Sequence, residues 1–463
     1  MKKIIYFIAA AFALTVVSCQ PKDNGPATTK VEIQIAEITS QSSETTVEGE
    51  GGETTTQTTI TVDTLNIAEE GRVVTLYNSS SSFEAETDAT GLASFKVPAG
   101  IYTASVSYRV VNGEQNVNYN GSADVTVVEG TPVSVVVPMR KSQTSSLIIK
   151  EVYNGGCMDN AGSKNYQMDK YIVVYNNSDK EVDASRMCLA MGPIANTASA
   201  NNYAVVNGIS ECEAQGWTAA SDGIWYFQTS VKIAPYSQIS IAINGAIDHT
   251  VTYTNSVNLS NVDFCTYDLE SGYTLATYYP APSATIPTNH HMKAYRFGQS
   301  TAWAFGMQSA GAFLIIPDKD VDMKTFMTTK SNFDNRGKNL SSNYAKIPIG
   351  WIQDAVDIWS ADDETRYYHR FPSAVSSGHV TFTTNKLGYS IYRNVDKEAT
   401  EAIPGNSGKL VYNYAGAVDA ENDGDPSGID AEASIAAGAK IVYMDSNNLA
   451  GDFHIRRVAS LKK

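Results

Sequence analysis

The first pattern along the chain is a continuous apolar run. Ile4 to Val17 is apolar apart from Thr15 and follows Lys2 and Lys3. From Lys30 onward the pattern changes to alternation. Val31, Ile33 and Ile35 face one way between polar residues, as in a half-buried strand. Gln41 to Thr59 is almost entirely Ser, Thr, Glu, Gly and Gln, with too little apolar surface to fold alone, and reads as a flexible loop. Strand patterns return at Thr61-Val62 and at Arg72 to Tyr77. Asp88 and Gly91 suit a tight turn, Phe95 and Val97 share one face of the next strand, Pro98-Ala99-Gly100 turns again, and Ile101 to Val106 resumes. Pro132 to Pro138 is the last strand before a polar linker, Lys141 to Ser146. Apolar runs then recur at Leu147 to Ile149, Tyr171 to Tyr175, Ile239 to Ala242 and Ala312 to Ile316. Ile352 to Trp359 reads as a strand with Ile352, Val356 and Ile358 on one face. The class is all-β: two β-sandwich domains in tandem, the second enlarged by a long insertion.

Composition narrows the partners. With 463 residues the chain is long enough for two or three domains. Lys and Arg total 34 against 49 Asp and Glu, a formal net charge of -15. That excess of acid argues against nucleic acid, or anionic lipid, as the main partner, because both demand clustered cations.

The N-terminal run is shorter than the roughly 20 residues of a comfortable membrane span and has the layout of a signal peptide over residues 1–18. It ends in Val16-Val17-Ser18-Cys19, which resembles a lipobox: two aliphatics, a small residue, then the cysteine that becomes residue one. This implies lipidation of Cys19 and a tether over residues 19–27. Two acyl chains anchor stably where one is marginal. No Asp follows Cys19 directly, which favours the outer membrane, at the cell surface or on the periplasmic face.

Two further resemblances concern the folded parts. The run from Thr87 to Val106 resembles the carboxypeptidase-regulatory-like, transthyretin-type β-sandwich. This implies a seven-stranded spacer of about 100 residues over 28–141 with no catalytic residues. Downstream, Leu147 to Gly156, Asp169 to Ser185 and Val231 to Ala242 together resemble a lamin-tail-type immunoglobulin-like sandwich, with Asp169 in the place of that family's acidic residue. Gly388, Ser390 and Arg393 resemble its late G-x-S-x-x-R strand, and Asn447 to Phe453 its closing segment. This second domain spans 146–463, and its stretch from about 244 to 385 has no counterpart in a compact lamin-tail domain. Over Leu147 to Lys463 the chain also resembles an uncharacterised family of Bacteroidota lipoproteins known as a domain of unknown function.

Candidate chemistry is sparse. Cys157, Cys188, Cys212 and Cys265 allow two disulfides in three connectivities, or free buried thiols, and their spacing fits no zinc pattern. No local catalytic motif occurs, and His290 and His291 would point to opposite faces of a strand. The acidic run from Asp419 to Asp430 can be aligned with a twelve-residue calcium loop, with Asp419, Glu421, Asp423, Asp425 and Asp430 as oxygen donors and Gly424 at the turn. Pro426, Asp430 in place of a bidentate Glu, and the lack of flanking helices depart from that loop, and a solvated acidic turn between strands is the simpler reading. Asp63-Thr64-Leu65 is similar to the Asp-Ser/Thr-aliphatic acceptor of Bacteroidota O-glycosylation.

Aromatic runs mark the inserted stretch: Tyr267, Tyr273, Tyr278 and Tyr279, then Tyr295, Phe297, Trp303 and Phe305. Such rings suit sugars, ring systems and peptides, and they equally well fill sandwich cores. The expectation is a non-enzymatic outer-membrane lipoprotein whose head captures a glycan, small molecule or protein, perched on a spacer and accessory to a transporter. The alternative is an extracellular polymer hydrolase with its site in the insertion.

Overall fold

The computed structural model describes residues 27–48, 54–112, 115–143, 145–193, 205–206, 209–307, 309–334, 344–360, 370–372, 375–376, 378–382, 386–416 and 424–462. Cys19 and the leader before it lie outside the described residues. The fold is all-β: strands dominate, and the helices are single turns or little more.

The first unit contains β1 (Thr28–Glu48), β2 (Thr54–Asn66), β3 (Val73–Asn78), β4 (Ser81–Glu86), β5 (Leu92–Pro98), β6 (Gly100–Asn112), β7 (Gln115–Val127) and β8 (Val133–Gln143). β1 pairs antiparallel with β2 and β5 and parallel with β8, while β3 joins β4 to β6, and β6 joins β7. The far ends of β7 and β8 pair and stitch the two halves together. Alternation sets the layers. Along β5, Ala93, Phe95 and Val97 are buried while Ser94 and Lys96 are exposed. The buried set meets Val31, Ile33 and Ile35 of β1 and Tyr102, Ala104 and Val106 of β6 in one core. The turn before β5 needs its glycine. Gly91 has φ +79, and a Cβ there would sit 1.8 Å from the carbonyl oxygen of Ile67. Asp88 Oδ1 fixes the same turn by accepting the N–H of Thr90 at 2.8 Å and of Leu92 at 3.1 Å.

This unit departs from the sequence reading in two places: Lys141 to Gln143, read as linker, extend β8 and pair with β7, and the polar run forms a ribbon. Gln41 to Thr59 was expected to be a flexible loop; its described part is a ladder, paired from Ala36↔Asn66 to Glu48↔Thr54. Backbone hydrogen bonds along a ribbon require no apolar residue, and β-branched Thr favours the extended chain. The ribbon supplies β2, so the unit has eight strands where the resemblance implied seven.

The second unit is built on one large sheet. Its strands are β9 (Leu147–Tyr153), β10 (Tyr171–Asn176), β11 (Cys188–Met191), β13 (Gly223–Tyr226), β14 (Gln238–Ala242), β15 (Phe264–Thr266), β16 (His291–Arg296), β17 (Gly311–Ile315), β19 (Ile352–Ser360), β20 (Val380–Phe382), β21 (Ser390–Arg393) and β22 (Phe453–Arg456). They follow the order β20-β19-β17-β11-β13-β16-β15-β14-β10-β9-β21-β22. A smaller sheet pairs β12 (Trp217–Ser221) with β18 (Tyr344–Pro348). The large sheet curls until Asp354 on β19 accepts the N–H of Ile149 on β9 at 2.6 Å. Its inner face encloses Trp225, Trp303, Phe305, Met292, Leu314, Val356 and Ile358.

The stretch 244–385 is built into this sheet. The stretch supplies β15, β16 and β17, which pair with β14, β13 and β11 from before it, and β19 and β20, which extend the sheet from β17. It completes the sandwich. Tyr273, Tyr279, Trp303 and Phe305 are at most 4% exposed, so these rings fill the core. Along β19 a register shift opposite Leu314 and Ile315 changes the parity. Val356 and Ile358 face the main core, and Ile352 packs with Phe313 and Trp351 on the other side.

Candidate functional site

No disulfide forms among the described residues. The cysteines are held apart by the packing: Cys188 lies against Phe313 and Trp351, Cys212 beside Trp217 and Tyr344, and Cys265 with Tyr171 and Val257. Burial pushes the Cys157, Cys188 and Cys265 thiols up to about 12, so none is a nucleophile at neutral pH. In native protein these three thiols are expected to react with a thiol-exchange reagent at least about a hundredfold more slowly than free cysteine, and to react fully in denaturant. Rapid labelling of the folded chain would contradict this burial.

The acidic run divides in two. Asp419, Glu421 and Asp423 lie outside the described residues. Asp425 is occupied with local backbone, accepting the N–H of Val395 at 3.0 Å and of Ser427 at 2.9 Å. Asp430 caps the helix Ala431–Ala436 by accepting the N–H of Ala433. Among the described residues no three His, Cys, Asp or Glu side chains converge as a metal would require. Glu432, next in the run, reaches back 2.6 Å to Lys150. Lys150 is the extra residue of a bulge in β9, which turns its side chain toward Glu432 and over the rings of Tyr392 and Tyr443.

The histidines are equally engaged. His249 Nε2 lies 2.6 Å from the carbonyl of Gly245, which can only accept, so Nε2 carries the proton and Nδ1 accepts from the Tyr166 hydroxyl at 2.7 Å. Burial lowers its pKa and keeps it neutral. His454 bridges Asn394 and Tyr414, and burial pushes it down to about 3. His290 closes the 3-10 turn Thr288–His290 and stacks on Phe264 at 4.6 Å, while His291, the first residue of β16, turns its edge to Tyr267, so the two rings part without sharing a strand. Asp169 accepts the hydroxyls of Tyr153 and Ser256, and burial raises its pKa.

Three carboxylates converge, but around a cation. Arg393, with its side chain 1% exposed, bonds Asp354 and lies 3.6 Å from Asp445 and 3.8 Å from Asp452. The same guanidinium donates to the carbonyls of Ile149 and Met444. This arrangement ties β21 to β9 and β19, and water does not reach it. The G-x-S-x-x-R resemblance singled out Arg393; its three acids come from distant segments.

A crevice open to solvent lies on the outer side of β14 and β15. Ala242, Gly245, Ala246, Cys265 and Thr266 form its floor, and Tyr267, Tyr278, Tyr279, Pro280 and Pro282 its sides. Its space, counted out to open solvent, is about 170 Å³, below the roughly 300 Å³ at which small-molecule pockets begin. The 278–282 loop is pinned by Gly245 N–H to the Tyr278 carbonyl at 3.1 Å and Ser283 N–H to the Ala246 carbonyl at 2.9 Å. His249 holds Gly245 from behind. Tyr267 and Tyr278 are partly exposed, whereas the Tyr279 hydroxyl accepts the N–H of Trp303 inside. No charged side chain lines the crevice. Of the aromatics singled out in the sequence, the fold brings Tyr267, Tyr278 and Tyr279 to this place. Pro280, Pro282 and the small floor residues carried no signal of their own. Asp63, Thr64 and Leu65 lie exposed on β2.

Comparison with known proteins places the chain among proteins of unknown function. Residues 234–409 match the family model described as Protein of unknown function (DUF4876). A solved DUF4876 family protein from Bacteroides thetaiotaomicron VPI-5482 is similar at 17% identity and TM-score 0.48, over 92% of this chain and 94% of that one. A DUF3823 family protein from Parabacteroides merdae ATCC 43184 is similar at 13% identity and TM-score 0.15, over 45% of this chain and 92% of that one. No curated protein matches. The resemblance to an uncharacterised Bacteroidota domain of unknown function is thus supported by the match of residues 234–409 to the DUF4876 model.

Proposed function

We propose that the protein is a lipid-anchored binding protein of the outer membrane whose second unit presents the Tyr267–Tyr278 crevice to a ring-bearing ligand. Anchoring is supported by the signal layout and the Val16-Val17-Ser18-Cys19 sequence. The observation that carries the binding reading is the crevice itself: tyrosine rings and prolines meet solvent over a floor of small residues without a charge. Flat, partly polar faces of this kind suit a neutral sugar ring or a peptide ring. The buried, mutually bonded state of His249, His454, Asp169 and the Arg393 acids supports binding over turnover.

The test has two parts. Mass spectrometry of the native protein should find acyl chains on Cys19, and Cys19→Ala should release it from membranes. Saturation-transfer NMR against neutral saccharides and short proline-containing peptides should find a ligand that does not turn over. Tyr278→Ala should weaken that ligand at least about tenfold with the melting temperature unchanged, since an aromatic anchor contributes more than about 1 kcal/mol. Product release from a polymer would favour the hydrolase reading instead.

A further inference from the structure

The start of the described chain and two exposed aliphatic residues lie at one end of the first unit. Thr28 pairs with Pro98, so the start of β1 lies beside the β5–β6 turn. Thr29 Oγ1 donates to the carbonyl of Val128 at 3.3 Å and accepts the N–H of Gly130 at 3.0 Å, which brings the β7–β8 turn to the same end. From these two turns Ile101, at 53% exposure, and Val128, at 58%, face outward. Charges nearby balance, with Lys30 and Lys96 against Glu32 and Glu129, and Lys30 and Glu32 pair with each other. The second unit packs elsewhere, on the flank of β3, β6 and β7. There Gly378 donates to Ser122 Oγ, Ser107 Oγ donates to the carbonyl of Ser446, and Tyr77 meets the ring of His379.

We infer that this end is a membrane-facing tip, with Ile101 and Val128 seated in the interfacial layer of the bilayer that holds Cys19. The inference rests on the anchored reading above. Chain length carries it: the residues from Cys19 to Thr28 can span at most about 32 Å even fully extended, so Thr28 cannot leave the neighbourhood of the bilayer. Two aliphatic side chains without a charge excess suit the boundary between headgroups and acyl chains. On this geometry the first unit stands on its tip, and the second is held beside it.

The experiment uses the acylated full chain in phosphatidylethanolamine–phosphatidylglycerol vesicles, with an environment-sensitive fluorophore on Val128→Cys or, separately, on Thr90→Cys. Thr90 lies at the other end of β5, about 20 Å away, and the buried native thiols stay unlabelled. Phospholipid brominated near the glycerol should quench the position-128 probe by about half or more, because apolar side chains of peripheral anchors reach about 5–10 Å into the boundary. The position-90 probe should be unaffected, and Ile101→Asp should abolish the quenching while the protein still sediments with vesicles. Sedimentation without quenching at 128, or equal quenching at both sites, overturns the tip and leaves the anchor standing. An unacylated Cys19 with no sedimentation overturns both.

Discussion

Arg393→Met should lower the unfolding free energy by about 3–5 kcal/mol, because it leaves buried carboxylates without their cation. Asp354, Asp445 and Asp452 all lie within 4 Å of the guanidinium, and their side chains are 6% exposed or less. Burial holds Asp354 and Asp452 above the ordinary carboxylate range even beside Arg393. Without the arginine their folded-state pKa values rise further. The folded variant then binds more protons than the unfolded chain, so its deficit should shrink as pH falls from 8 to 5. A loss this large is a substantial part of the roughly 5–15 kcal/mol that holds a domain together. Urea unfolding read by both far-UV dichroism and tryptophan fluorescence checks it, since two units need not unfold together. In the Arg393→Met background, Asp354→Asn should cost less than in the native chain. A loss below about 1 kcal/mol, or additive single effects, would show that the cluster is solvated and not a clamp.

The parts of the fold that were legible in sequence are those whose signal is local. β5 alternates cleanly, and Asp88 and Gly91 announce their turn through a side-chain acceptor and a positive φ. β9 and β10 appear as apolar runs because the sheet is covered on both faces. The β1–β2 ribbon was illegible because its ladder is made by backbone, and polar composition reports only on burial. How the stretch 244–385 joins the sheet was illegible, because β15, β16 and β17 find their partners in strands before it, which no local pattern records. Its aromatics were visible, but their division between core and crevice was not. Tyr273 and Trp303 went inward, while Tyr267 and Tyr278 reach the surface. The bulge that turns Lys150 toward Glu432 depends on a partner 282 residues away.

One buried cation is readable in the sequence. Lys170 shares strand parity with Ile172 and Val174, both in the main core, so alternation alone sends its side chain inward. It is 2% exposed and donates to the carbonyl of Phe305, with no carboxylate in an ion pair with it among the described residues. Burial pushes its pKa down to about 8, against a smaller opposing pull from Asp169. Between pH 8 and 10.5 the unfolded chain still holds a proton that the folded chain has released, so this group makes stability rise with pH across that window. Below pH 8 both states hold the proton, and the cost of charging a desolvated amine, about 3 kcal/mol, is present in full. Lys170→Met keeps the length and apolar stem without the charge. It should therefore stabilise the protein at pH 7 by about 2–3 kcal/mol, less whatever the unpaired Phe305 carbonyl costs. The gain should shrink from about pH 8 upward and vanish above about pH 10.5, where the amine is neutral in both the folded and the unfolded chain. Urea midpoints of both proteins at pH 7 and pH 10 decide it. A destabilised variant with the same difference at both pH values would mean that the charge is compensated, and that the hydrogen bond to Phe305 outweighs the burial.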